Sequence, residues 1–193
     1  MRYPRALTVA VLGLALVLAG CSNDETGESS GKGFNDSDIA FATDMIQHHA
    51  QALQMVDLTL GRDVDPEVQL LADDIRAAQA PEIEKMADWL QDWEQPVPET
   101  VRDHANAHGE GMDMNLDMPG MMSPGDLESL ERAEGTDFQQ MWLEMMIEHH
   151  EGAIEMADEE QENGEHPQAV AMAEDIADAQ AGEISTMKNL LGQ

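Results

Sequence analysis

The chain has 193 residues, 25% of them Asp, Glu, Lys or Arg and only 4% aromatic, with a formal net charge of −31 at pH 7. So acidic a surface excludes nucleic acid and anionic headgroups as partners, because both require Lys/Arg patches. A single Cys beside 15 Met excludes an internal disulfide and a thiolate cluster, and leaves thioether as the abundant soft donor.

At the N-terminus, Arg2 and Arg5 precede an apolar run from Ala6 to Ala19. This run is too short for a comfortable membrane span and suits a signal peptide over residues 1–20. Leu18-Ala19-Gly20-Cys21 resembles the bacterial lipoprotein box, which implies cleavage before Cys21 and lipidation of its sulfur. The protein is therefore expected to be exported and anchored on the outer face of the cytoplasmic membrane or in the periplasm. Its lipid would be its one contact with the membrane. Cleavage removes two Arg and no acid, so the charge becomes −33. Residues 21–35 are small and polar and read as a flexible tether, followed by one domain over 36–193.

Asp36 or Ser37 can cap a first helix that runs to about Leu60 and stops at Gly61. Asp65-Pro66 opens a second, to about Trp93, where Gln95-Pro96-Val97-Pro98 breaks it. A long crossover leads to Met122, and Ser123-Pro124 starts a short helix to about Ala133. A third long helix spans Asp137 to about Gln161, and His166-Pro167 opens the fourth, which ends near Leu191.

The halves repeat, over about 36–93 and 137–193. Sliding residues 41–91 onto 142–192 without a gap gives 18 identities in 51 pairs, more than helical composition bias produces. The predicted fold is all-α: a ferritin-like four-helix bundle of two repeated hairpins joined by a long Met-rich crossover.

The repeat carries "DMIQHHAQALQM" at 44–55 and "MMIEHHEGAIEM" at 145–156. At about 100° per residue, His49 falls at the centre of the apolar stripe of its helix and His150 at the centre of its own. Met45 and Met146 share these stripes. His48 and His149 fall on the flanks, with Met55 and Met156. On the second and fourth helices the inward stripe holds polar residues at matching positions, Gln79 and Glu82 in one and Gln180 and Glu183 in the other. A buried carboxylate needs a partner or a cation, and a buried His opposite supplies one. Such a layer either binds a ligand or fixes helix register. Pro81 and Gly182 weaken the two helices beside it.

In the crossover, Met112, Met114, Met118, Met121 and Met122 lie among Gly, Asp, Asn and Pro with no periodic apolar face, just after His104 and His108. Thioether with imidazole suits Cu(I) or Ag(I) rather than Mg²⁺ or Ca²⁺, which predicts a second, weaker and exposed site.

The segment "MPGMMSPGDLESLERAEGTDFQQMWLEMMIEHHEGAIEMA", with the earlier "FATDMIQHHAQALQM", resembles domain-of-unknown-function family 305 over about residues 35–191. The resemblance implies a ferritin-like four-helix fold and, for some members, extracytoplasmic copper binding. It places the family's paired His on His48-His49 and His149-His150, and its PGMM on Pro119 to Met122. The chain departs from the di-iron pattern, which needs Glu-x-x-His on a helix.

The reading is a lipid-anchored metal-binding protein that buffers or sequesters copper, or silver. Its ligands come from the four His with Met support. No Ser/His/Asp or Cys/His nucleophile arrangement and no phosphate loop points to catalysis. The alternatives are a metal-dependent oxidase with His49, Glu82, His150 and Glu183 around iron, manganese or zinc, and a structural lipoprotein with no ligand. Nothing in the sequence specifies a protein partner.

Overall fold

Capping chemistry sets where each helix begins. In a computed structural model, which describes residues 33–100 and 117–193, α1 spans Asp36–Asp57. Asn35 is its cap: the side chain accepts from the Ser37 and Asp38 amides, while Asp38 accepts from the Asn35 amide at 2.6 Å. The helix ends at Asp57 rather than Leu60. Leu60 is 60% exposed and does not belong to the inward stripe. α2 spans Pro66–Asp92 behind Asp65, which accepts from the Glu67 amide, and continues through Pro81. α3 spans Pro124–Arg132 behind a Ser123–Asp126 capping box. α4 spans Gly135–Asn163, and α5 spans Pro167–Leu190 with the His166 ring accepting from the Ala169 amide.

The fold is all-helical, with no strand among the described residues. Among these residues, no helix is long and apolar enough to cross a membrane. The signal segment, Cys21, the tether to residue 32, and His104, His108, Met112 and Met114 lie outside the described residues.

The four long helices form two antiparallel hairpins, α1–α2 and α4–α5, joined mainly through α1 against α4. Short α3 rests on α4. Arg62 donates to the Glu131 and Ala133 carbonyls at the end of α3 and lies 4.2 Å above the Phe138 ring. It thereby satisfies carbonyls that a helix terminus leaves open.

The repeat extends to the turns. Asp38, on α1, accepts from the His166 amide at 2.8 Å and so pins the α4–α5 turn. Gln139 holds the equivalent position on α4 and accepts from the Asp65 amide at 2.8 Å, pinning the α1–α2 turn. Two apolar clusters fill the interior. One includes Met55, Ile75, Phe138 and Trp142; the other includes Phe41, Ile46, Leu90 and Ile176. Along every long helix, the residues between these clusters are the His/Gln/Glu layer.

Candidate metal centre

All four paired histidines are completely buried, His48 and His149 as much as His49 and His150. The helical wheel left the first His of each pair on a flank. The flank is covered because α1 and α4 face each other there and residues 118–122 close over them. The His48 and His149 rings meet across the α1–α4 interface with centroids 3.8 Å apart and planes at 40°, and His149 lies 6.4 Å from His150.

Hydrogen bonding fixes the proton on three of these rings. His48 Nε2 lies 3.0 Å from the Pro119 carbonyl oxygen, which can only accept, so Nε2 carries the hydrogen. His49 Nε2 donates to Glu82 Oε2 at 2.8 Å and His150 Nε2 to Glu183 Oε2 at 2.6 Å. In each ring Nδ1 is then a lone pair, and none of the three has a hydrogen-bond partner among the described residues. Neither nitrogen of His149 makes a well-aligned hydrogen bond, although the His48 backbone pulls its pKa up against the larger effect of burial. Glu82 and Glu183 are partly exposed, at 23% and 18% of their side chains, rather than buried as the stripe implied. They stand where a carboxylate orients a metal-binding imidazole and raises its basicity.

Electrostatics keep the central pair neutral. Burial, then the neighbouring His49, drives the His48 pKa down to about 3, against the opposing pull of the Pro119 carbonyl. Burial followed by His48 and His150 puts His149 well below its ordinary value. Both rings therefore offer lone pairs without proton competition at neutral pH.

Loop 118–122 is built onto the site by two residues in the same register of the repeat, Gln51 and Gly152. The Gln51 amide both donates to the Met122 carbonyl at 2.9 Å and accepts from its N–H at 2.7 Å. At Gly152, a Cβ would stand 2.2 Å from the Pro119 oxygen. At Gly120, with φ +73°, a Cβ would stand 2.7 Å from the Glu148 carbonyl oxygen and 2.9 Å from that of His149. None of these contacts was anticipated from the sequence. A glycine in mid-helix, aligned with a glutamine beside the His pair, was the available signal.

Met45, Met55 and Met146 are fully buried, one or two turns from the histidines along α1 and α4; Met156 is half-buried. Met118 and Met122 are also buried, at 7% and 3% exposure, and Met122 belongs to an apolar cluster. The exposed crossover site expected from the sequence therefore does not include these two as exposed donors. Their backbone is held down by Gln51 and Gly152, so an apolar face exists without helical periodicity. Met121 is half-buried beside them.

Among the described residues, no three His, Cys, Asp or Glu side chains share a ready metal-binding geometry. Neutral imidazole, with thioether on the same helices, is a donor set suited to a soft monovalent ion of low coordination number. Such an ion would also account for the buried ring nitrogens that lack partners, which a folded protein otherwise avoids.

Over residues 38–191 the chain matches DUF305, a domain of unknown function. Among curated proteins, none matches it. A DUF305 protein from Streptomyces coelicolor, described as secreted, superposes with a TM-score of 0.69 at 31% identity, covering 81% of this chain and 92% of its own. A DUF305 fragment from Deinococcus radiodurans gives 0.69 at 30%, covering 82% and 97%. CopM in its Cu(I)-bound form gives 0.61 at 30%, covering 79% and 94%, and CopM is also known in Cu(II)- and Ag-bound forms. With a match that takes in both His pairs, all four long helices and the loop over them, the chain belongs to the DUF305 family.

Proposed function

We propose that this protein binds copper outside the cytoplasm and buffers or sequesters it, with silver as an alternative cargo. The observation that carries the reading is the buried layer of four histidines, each with an unpartnered ring Nδ1, three of them with the tautomer fixed by a bond from Nε2. His48 and His149 form the centre, and His49 and His150 flank it, oriented by Glu82 and Glu183. Met45, Met146, Met55 and Met156 supply thioether on the same helices. The Cu(I)-, Cu(II)- and Ag-bound forms of CopM support the choice of metal. We further infer a ferritin-like four-helix bundle, a signal peptide over 1–20, and a lipid on Cys21 followed by a tether to residue 35. The secreted relative is consistent with export.

Binding rather than catalysis is the better reading of the layer. In a ferritin-like oxidase Glu82 and Glu183 would face the metal directly, whereas here each accepts from an Nε2–H. The test is competition between metals. Under matched chelator conditions Cu(I) should bind more tightly than Zn²⁺; equal or tighter zinc would favour the carboxylate-centred oxidase.

A further inference from the structure

The histidines are completely buried, so an ion must reach them through some opening. On the α1–α4 side, Pro119-Gly120 against Gly152 and the two hydrogen bonds of Gln51 to Met122 cover the histidines, and a groove of about 200 Å³ lined by Asp44, Met156 and Glu159 among others touches no residue of the polar layer. The α2–α5 side differs. There, two grooves run between the antiparallel helices. One, of about 360 Å³, is lined by Glu82, Met172 and Asp175 among others. The other, of about 510 Å³, is lined by Glu183, Glu67, Asp74 and Gly182 among others.

We propose that this α2–α5 furrow is the route by which the ion reaches the histidines, with Glu82 and Glu183 as its two receiving groups. The proposal rests on the copper reading above. Each carboxylate is partly in water and also bonded to a buried ring, a combination that no other acidic side chain among the described residues shows. Gln79 and Gln180, one turn before these carboxylates on α2 and α5, are 2% and 3% exposed; both amide atoms of Gln79 and the oxygen of Gln180 lack partners. Unpaired polar groups at such a depth are costly in a closed interior and suit a passage for a partly hydrated cation. Acidic walls of one sign concentrate cations at the mouth. Met172 puts a soft donor on one lip. A carboxylate that lets go of its histidine can take up the ion at the Nε2 edge of the ring; its return to the Nε2–H then leaves the ion to pass to the Nδ1 lone pair. The two routes are related by the repeat, since Gln79 and Glu82 align with Gln180 and Glu183.

The experiment follows Cu(I) transfer from a fast-exchanging chelator to the full chain by stopped flow, with equilibrium affinity measured alongside. Glu82→Gln/Glu183→Gln keeps an acceptor for each Nε2–H and removes the charge. Gly182→Phe/Ala171→Phe fills both grooves from exposed positions, and a Cβ at Gly182 meets nothing within 4 Å. Asp158→Asn/Glu162→Gln, on the exposed side of α4, is the control for lost charge. Both furrow variants should load about tenfold or more slowly; the filled variant, whose changes lie outside the binding layer, should keep its affinity and melting temperature, and the control should stay near wild type. Wild-type loading rates in both furrow variants would overturn the route while leaving the copper reading intact. An equal slowing in the control would also overturn it, by reducing the effect to net charge. Lost affinity at an unchanged association rate would do so too, by making the carboxylates plain ligands. Failure of the wild type to take up Cu(I) would defeat the copper reading and the route together. If the filled variant does not fold, as judged by circular dichroism, the Gln pair decides alone.

Discussion

The two hairpins agree where they hold the histidines and disagree where they meet the rest of the chain. His49 with Glu82 and His150 with Glu183 repeat almost atom for atom, at 2.8 and 2.6 Å. Gln51 and Gly152, in one register, do opposite things: one grips loop 118–122 and the other makes room for it. A single loop cannot obey a two-fold, so it breaks the symmetry of the layer. His48 gains the Pro119 carbonyl, while His149, its counterpart, has no well-aligned hydrogen bond at either nitrogen. The ends differ likewise. Asp38 and Gln139 pin equivalent turns, but only Asp38 is charged, and beside it lies buried Glu160 where the other copy has Thr59. The repeat is thus kept in the His/Gln/Glu layer, and diverges where that layer meets the loop and where the turns are pinned.

The largest expected effect tests the loop. Gly152→Ala forces backbone apart at Pro119 and should destabilise by about 1–3 kcal/mol. Gly182→Ala, in the other helix of the same hairpin, meets open space and should instead stabilise by about 0.5–1 kcal/mol, because glycine weakens a helix interior. Chemical denaturation of both variants gives the comparison. Equal signs would mean that the loop does not rest on Gly152.

Next comes the acid limb of stability. His48 stays neutral down to about pH 3 in the native chain, whereas an unfolded His takes its proton near 6.5. His149 is lowered in the same direction. Below pH 6.5 the unfolded state therefore binds more protons, and stability falls as pH falls towards 3. His48→Leu/His149→Leu should flatten that decline in melting temperature between pH 6.5 and 4. An unchanged slope would mean the rings are not held neutral.

The carboxylate end should give a smaller change of opposite sense. Burial, then contact with Asp38, raises the Glu160 pKa to about 8, against an ordinary 4.5. Between these values the native state holds the proton that the unfolded state has lost, so stability falls as pH rises. Glu160→Gln should be more stable than wild type at pH 9 by several degrees and lose this advantage towards pH 4.5. A variant no more stable at pH 9 would show that the carboxyl is not retained in its protonated form.

Much of this was legible in the sequence, for reasons that also explain what was not. Apolar periodicity and Pro-started helices gave five helices to within a few residues. The gapless repeat paired Glu82 and Glu183 with His49 and His150. Periodicity reports only a single helix's faces, so it put His48 and His149 on flanks that another helix and a loop bury. Met118 and Met122 were misplaced as exposed for the same reason: a clamp by Gln51 is a tertiary contact with no local pattern. Asp38 follows the Asp36 and Ser37 expected to cap the first helix, and its grip on a turn 128 positions away left no trace in composition.

The central claim is that the buried His48–His149 pair binds a soft metal ion, and its most direct test is a Cu(I) titration against a competing chelator. Wild type, His48→Leu/His149→Leu and a Met118→Leu/Met121→Leu/Met122→Leu variant would be compared, with circular dichroism establishing that each is folded. Tight uptake should vanish in the folded His variant and persist in the folded Met variant. Unchanged stoichiometry and affinity in the folded His variant would contradict the account.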